Sequence, residues 1–495
     1  MSPPYLETPP SPLTLGAQLQ NFSQEIWEFL SAFVMPHMLT VSGFALALLV
    51  VARIFNEKRS PSNIFAWSLL IFFVPYFGVP LYFLFGGRKS RRLAENKRKI
   101  RALAQSLSDI TTIRSPTPAL WPQIQAQEGQ HRFEFFPDGV RAFDALLSEI
   151  AHARESIHLM TFIMGKDAVA TRVRDALVKR AREGLEVKLL VDAIGSFGHA
   201  GHFLKPLREA GAKVARFMPM IPLMTQTSAN LRNHRKVAIF DRSRAFVGGQ
   251  NIDNRFMGPR PDPKRFIDFS ALIQGPAVSH FNVMFVSDWC FASGEKPESF
   301  RKTLCTMPAS AGSHNVKVLS SGPDVEGDPL WESLITMIQE CQRELTIVTP
   351  YFLPDEVLFQ SLIVKAHTGR RIRLIIPEVS NHRMVDFARN HYLRLLKQAG
   401  VQILLYTPAM LHAKLFIVDD HIAMFGSANL DMRSLFVNFE VGVFMFDHGS
   451  ISTLQNWVDT LLPDCIGYEQ YAAAKSTSSN RRLIEDFAYL LGPML

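Results

Sequence analysis

The sequence predicts an α/β protein built from two duplicated halves that share one active site, preceded by an N-terminal two-helix membrane hairpin. The first observation behind this is a repeated pattern. Asn233-His234-Arg235-Lys236-Val237-Ala238-Ile239-Phe240-Asp241 and His412-Ala413-Lys414-Leu415-Phe416-Ile417-Val418-Asp419 both read His-x-Lys-x4-Asp. Each runs on into a small-residue turn and an asparagine, Gly248-Gly249-Gln250-Asn251 and Gly426-Ser427-Ala428-Asn429, and every corresponding pair stands 178 positions apart. The second observation is that strand-like and helix-like segments alternate in the same order ahead of each copy, as in β-α-β units. The third is a pair of apolar stretches near the N-terminus, in a chain whose 47% hydrophobic residues and mean hydropathy of +0.06 are high for a purely soluble protein.

In chain order, residues 1–33 read as a lead. Positions 1–21 are rich in Pro, Ser and Thr with no basic region before an early apolar core, unlike a cleavable signal peptide. Phe22, Trp27, Phe29 and Phe33 among Glu25 and Glu28 suit either a short interfacial helix or a plain entry to the first span. Residues 34–87 are expected to hold two transmembrane helices. One covers about 34–54 and ends at Arg53; the other covers 64–85 without a charge, with Pro75 and Pro80 as kinks. The loop at 56–63 carries Lys58 and Arg59, whereas Arg88, Lys89, Arg91, Arg92, Lys97, Arg98, Lys99 and Arg101 follow the second span. The positive-inside rule therefore puts everything after the spans in the cytoplasm. Residues 88–130 are expected to be a basic linker, its cations lying against anionic headgroups and Pro116, Pro118 and Pro122 interrupting it.

The first half is expected over 131–310, with helices at 143–154 and 168–183 and strands at 156–163 and 186–192. The second is expected over 311–495, with helices at 330–343 and 356–367 and strands at 344–349 and 371–376, the join falling near 307–314. In each half the repeated motif comes last, as two short strands joined by a turn.

Residues two apart on a strand face one side, so His234 projects with Lys236 and His412 with Lys414, while Val237, Ile239, Leu415 and Ile417 enter the core. A histidine supplies a nucleophile or proton carrier near its ordinary pKa of about 6.5, and a lysine a fixed positive charge for an oxyanion. Small residues and the amides of Asn251 and Asn429 let a backbone approach and donate, which is equipment for a phosphate. If the halves meet about a pseudo-two-fold axis, one neutral histidine can attack phosphorus while the other protonates the leaving alcohol, giving double displacement. Asp268 and Glu440 are the candidates for fixing the histidine tautomers, and Asp241 and Asp419 fall where a strand turns, a place that suits a structural turn role at least as well as direct catalysis. A metal site is disfavoured, because lysine repels a cation and no Cys or further His recurs at ligand spacing. The four cysteines Cys290, Cys305, Cys341 and Cys465 are widely spaced and read as free thiols.

The two complete copies resemble the signature of the phospholipase D superfamily, His-x-Lys-x4-Asp-x6-Gly-Gly/Ser-x-Asn. Asn230-Leu231-Arg232, Asp192-Ala193-Ile194-Gly195-Ser196, Ser287-Asp288-Trp289, Ser321-Gly322-Pro323-Asp324, Thr349-Pro350-Tyr351-Phe352, Asn429-Leu430-Asp431-Met432-Arg433-Ser434 and Asn438-Phe439-Glu440 extend the likeness to the superfamily's bacterial cardiolipin synthases. That resemblance implies two phospholipase D-like halves and a phosphatidyltransferase that joins two phosphatidylglycerols and releases glycerol, without a metal or other cofactor. It implies His234, Lys236, Asp241, His412, Lys414 and Asp419 as catalytic residues, with His234 the nucleophile and His412 the acid/base. Asn251, Asn429, Ser427, Asp268 and Glu440 would bind or support the phosphate. Ile267-Asp268-Phe269-Ser270 and Ser380-Asn381-His382 depart from the family's pattern. The implied partners are phosphatidylglycerol and anionic membrane lipids, with no nucleic acid, at the bacterial cytoplasmic membrane; the oligomeric state stays open. The net charge of +8 also suits a nuclease, and water in place of the second alcohol would make a hydrolase. A catalytically silent lipid-binding scaffold would have lost a histidine or lysine.

Overall fold

A computed structural model describes residues 20, 22–24, 26–28, 30–55, 61–82, 91–108, 130–198, 201–218, 231–474 and 479–490. The chain forms two compact units, Met1–Gly87 and Arg88–Leu495.

In the N-terminal unit a π-helical turn, Leu30–Val34, leads into the 21-residue helix Met35–Phe55. The second expected span is not one helix. It is broken into Pro61–Phe73 and Pro75–Leu81, because Val74 leaves helical geometry (φ −135°, ψ 64°) ahead of Pro75, which has no N–H to continue the ladder. Among the described residues no helix is long and apolar enough to cross a membrane. The helices pack through Phe44 against Phe72 (5.8 Å between centroids) and Trp67 against Tyr82 (5.5 Å). Leu48, Leu49, Phe65 and Phe73 stay exposed. The expected loop cations Lys58 and Arg59 lie outside the described residues, as do Arg88, Lys89 and the prolines of 109–129.

The basic linker is corrected at its start: Arg91–Ser106 is a helix of the larger unit. Lys97 is fully buried and Arg101 partly so, and both are paired with carboxylates of the larger unit, which withdraws them from a headgroup.

Two sheets follow. The first holds β1 (Arg132–Phe136), β2 (Ser156–Thr161), β3 (Glu186–Asp192), β4 (Lys213–Phe217), β5 (Val237–Phe240), β6 (Arg244–Gly248) and β7 (Ser270–Gln274), in the order β1-β7-β6-β5-β2-β3-β4. The second holds β8 (Val316–Ser321), β9 (Glu344–Val348), β11 (Arg371–Pro377), β12 (Gln402–Tyr406), β13 (Leu415–Val418), β14 (Ile422–Gly426), β16 (Glu440–Met445) and β17 (Cys465–Gly467). Its order, β17-β12-β11-β9-β13-β14-β16-β8, repeats the first sheet with β17 added at the edge. The short pair β10 (Phe352–Leu353) and β15 (Leu430–Asp431) stands apart. In both sheets three parallel strands give way to an antiparallel set, β5 running against β2 and β13 against β9. The expected elements are present with small shifts. The first helix starts at Gly139 rather than 143, because Asp138 caps it by accepting from Val140 N and Arg141 N (2.8 and 2.9 Å).

The halves are joined through their cores. Phe133 and Phe269 pack on Phe425, and Phe135 and Phe269 pack on Trp457. Two backbone clasps complete the contact. Phe439 N donates to Arg232 O and His234 N to Phe439 O, while Ile267 N donates to Met410 O and His412 N to Ile267 O.

Candidate active site

Each histidine lies in an extended segment just before its strand, not within it, since β5 begins at Val237 and β13 at Leu415. The backbone there is tied to the opposite half by the clasps, so His-x-Lys cannot also join its own sheet. The residues following the clasp positions Phe439 and Ile267 are Glu440 and Asp268, and they reach across. His234 Nδ1 lies 3.0 Å from Glu440 Oε1 and 3.0 Å from Ser427 O; His412 Nδ1 lies 2.7 Å from Asp268 Oδ2. Each histidine is therefore oriented by the other half's carboxylate. Facing acceptors only, His234 Nδ1 carries the proton and Nε2 keeps its lone pair.

The lysines lie beside their histidines. Lys236 Nζ donates to His234 O at 2.5 Å, and Lys414 Nζ approaches His412 Nδ1 at 2.6 Å and Asp268 Oδ2 at 3.8 Å. All four groups share one electrostatic site, for the charge of Lys414 acts on His234 and that of Lys236 on His412. Burial pulls His234 below its ordinary range, against the Glu440 carboxylate and with the help of Lys236. Burial and Lys414 bring His412 down to about 3. Burial likewise lowers Lys236 to about 7 and Lys414 to about 8, although Glu440 and Asp268 oppose it. Burial works against ionisation of Glu440, but His234, Lys236 and the Ser427 hydroxyl outweigh it and its pKa falls. The expected ordinary histidine pKa and fixed lysine charges are thus corrected: burial in the site favours neutral imidazoles and lysines that titrate near neutrality.

The other expected residues divide. Ser427 Oγ donates to Glu440 Oε2 and accepts from Val441 N. Asn251 Oδ1 is taken by Ile163 N (3.1 Å), whereas Asn429 is buried with its Oδ1 unpaired among the described residues. Asp241 and Asp419 are not in the site. Each lies at the far end of β5 or β13, a strand of four residues at about 3.3 Å per residue. Both adopt the left-handed conformation (φ 51° and 52°) that aspartate tolerates. Asp241 accepts from the N–H groups of Arg154, Glu155 and Ser156, and Asp419 from those of Gln342, Arg343 and Glu344. They pin the hairpin to the start of the neighbouring antiparallel strand, β2 or β9, a structural role.

Sequence reasoning missed several neighbours. Phe162 packs edge-on to His234 at 5.0 Å, and Phe256 and Phe266 pack on His412 at 4.9 and 5.9 Å. Buried Asp192 accepts from Ile194 N, Gly195 N and Asn233 N, and so holds the residue before His234. No pattern in the chain signals the aromatic partners, because each lies far away in sequence; Asp192 stands in a family-like stretch, but its hold on Asn233 is not legible there.

The family described as "Cardiolipin synthase, PLD-like domain" matches residues 146–289 and 334–462, one stretch in each half. The chain belongs to this family. The family described as "Phospholipase_D-nuclease N-terminal" matches residues 45–87. The chain is 32% identical to the major cardiolipin synthase ClsA of Bacillus subtilis (strain 168), over 90% of this chain and 97% of that one. It is also 32% identical to the cardiolipin synthase of Oceanobacillus iheyensis, over 88% of this chain and 92% of that one. Phosphatidylserine synthase of Haemophilus influenzae Rd KW20 shares the fold, with a TM-score of 0.58 and 14% identity over 76% of this chain and 99% of that structure.

Proposed function

We propose that this family member transfers a phosphatidyl group between two phosphatidylglycerols, forming cardiolipin and glycerol. The observation that carries this is the buried pair of histidines, each flanked by a lysine and oriented by a carboxylate from the opposite half. His234 Nε2 attacks phosphorus. The bond from phosphorus to the glycerol oxygen breaks, and His412, protonated under the pull of the bound phosphate charge and Asp268, gives that oxygen its proton. His412 then takes the proton of the second lipid's glycerol hydroxyl, whose oxygen attacks phosphorus; the P–N bond breaks and His234 is regenerated. Lys236 and Lys414 face the non-bridging oxygens, where charge grows in each transition state.

The proposed domains are the lead over 1–33, the apolar unit over 34–87, and the two halves over 131–310 and 311–495, with the helix Arg91–Ser106 counted with the halves. The exposed Leu48, Leu49, Phe65 and Phe73 support a membrane-embedded N-terminal unit, and the cations after it a cytoplasmic position for the site. Anionic lipids, not nucleic acid, are the proposed partners, at the bacterial cytoplasmic membrane.

Purified full-length protein in mixed micelles with labelled phosphatidylglycerol should yield cardiolipin and glycerol in equal amounts. Phosphatidic acid as the main product would make it a hydrolase instead. Cys305, an exposed thiol of the larger unit, tests the topology: an impermeant maleimide should label it only after spheroplasts are lysed.

A further inference from the structure

We propose that Lys97 is a positioning residue for His234, acting through Asp288 and Arg235. The inference rests on the reading of His234 as a reacting group. Lys97 comes from the helix Arg91–Ser106, which packs along the helix Val278–Ser293. Its ammonium lies 2.7 Å from Asp288 Oδ1 and 2.7 Å from Asp324 Oδ2, with all three side chains sealed from solvent, and it sits 4.4 Å over the ring of Phe439. Asp324 follows β8 of the second half, so one lysine clamps a carboxylate of each half.

Asp288 holds both neighbours of His234. Its Oδ2 accepts from Asn233 Nδ2 at 2.9 Å, and Arg235 Nη1 donates to its two oxygens at 2.8 and 2.6 Å. Arg235 in turn donates from Nε to Glu440 O at 3.0 Å and from Nη2 to Ser321 O at 2.9 Å. Glu440 is the residue whose side chain orients His234. The path from Lys97 to the imidazole thus runs through buried, charge-assisted contacts to the Glu440 main chain, and from there through the Glu440 side chain to His234. Without the ammonium, two buried carboxylates would compete for Arg235 and Arg101, and Asp324 would draw Arg235 away from Asp288. The Glu440–His234 contact would loosen, while Lys97 itself touches no reacting atom.

The test measures kcat and KM separately for the full-length protein in phosphatidylglycerol mixed micelles across pH. Lys97→Met should lower kcat about 10- to 100-fold, the scale of a misplaced reacting group, with KM within about twofold. The acid limb of the kcat profile should move to lower pH, because a loosened Glu440 no longer raises the pKa of His234. Lys97→Arg keeps the charge and the fold but cannot fit both carboxylates, and should shift the limb the same way with a loss of about threefold to tenfold. Adding Asp324→Asn to Lys97→Met removes the surplus carboxylate and should return kcat to within about threefold of wild type. Wild-type kcat in both single variants, or a loss with an unmoved acid limb, overturns the proposal. His234→Ala is assayed alongside. Transfer surviving in it would bring down the reading of His234, whereas a silent His234→Ala beside unaffected Lys97 variants would bring down the positioning role alone.

Discussion

The two halves carry the same parts but finish them differently around the carboxylates. In the second half Glu440 is the longer acid, and Ser427 both donates to it and binds the backbone beyond it. In the first half the corresponding pair is Asp268 and Gly249. A Cβ at 249 would come within 2.4 Å of Asp268 Oδ2 and 2.5 Å of Oδ1, so the shorter acid occupies the space the serine side chain fills opposite. His234 therefore faces a buttressed glutamate and a carbonyl, and His412 an aspartate and the Lys414 ammonium. The contrast shows how a duplicated site can assign different tasks to two histidines. The first is fixed as a neutral tautomer with a free Nε2, while the second is held neutral by burial and by its lysine.

The largest blow to this comparison is removal of either imidazole. His234→Ala and His412→Ala should each lower cardiolipin formation by about 10³-fold or more in the micelle assay. They should part in one respect: a phosphatidyl-enzyme, trapped by detergent denaturation at mildly alkaline pH because its P–N bond is acid-labile, is lost in His234→Ala and still detectable in His412→Ala. Phosphoenzyme in the first variant and none in the second would exchange the roles. Lys236→Met and Lys414→Met come next, at about 10²-fold each, since each removes one oxyanion partner.

Exchanging the carboxylate supports sharpens the contrast further. Gly249→Ser should displace Asp268 from His412 and cost about tenfold in kcat, while Ser427→Gly, which leaves Glu440 its contact with His234, should cost only about threefold. Equal losses would mean that the two halves are not differentiated in this way. In stability, His412 is held near 3 in the folded protein against about 6.5 when unfolded. The unfolded chain binds the proton first, so this group's contribution, full above about 6.5, is lost as pH falls toward 3. Thermal melts of His412→Gln should therefore lose less stability than wild type between pH 6.5 and 4.5. The smallest effect on chemistry belongs to Asp241→Asn and Asp419→Asn, which should lower the melting temperature by about 2–4 °C with kcat within about twofold. A collapse of kcat at full stability would return these residues to the site.

The sequence alone determined the duplication, because an equal offset of 178 between two complete motifs needs no structure to be seen. It also determined the candidate reacting residues and most strands and helices, since hydrophobic period and turn residues are local signals. Asp268 and Glu440 were legible as candidates by chemistry, but their crossing to the opposite half was not. The same limit left Asp241 and Asp419 open between a turn role and the catalytic role that the resemblance implied: a motif records spacing, and spacing does not tell which end of a strand lies by the histidines. Nor could a run of cations such as Lys97 and Arg101 reveal that one of them is buried and both are paired, for their partners Asp288 and Asp324 lie about two hundred residues away. Tertiary structure decided which half completes which histidine and how far burial shifts each pKa. Both depend on groups brought together by packing, and that proximity has no trace in the order of residues.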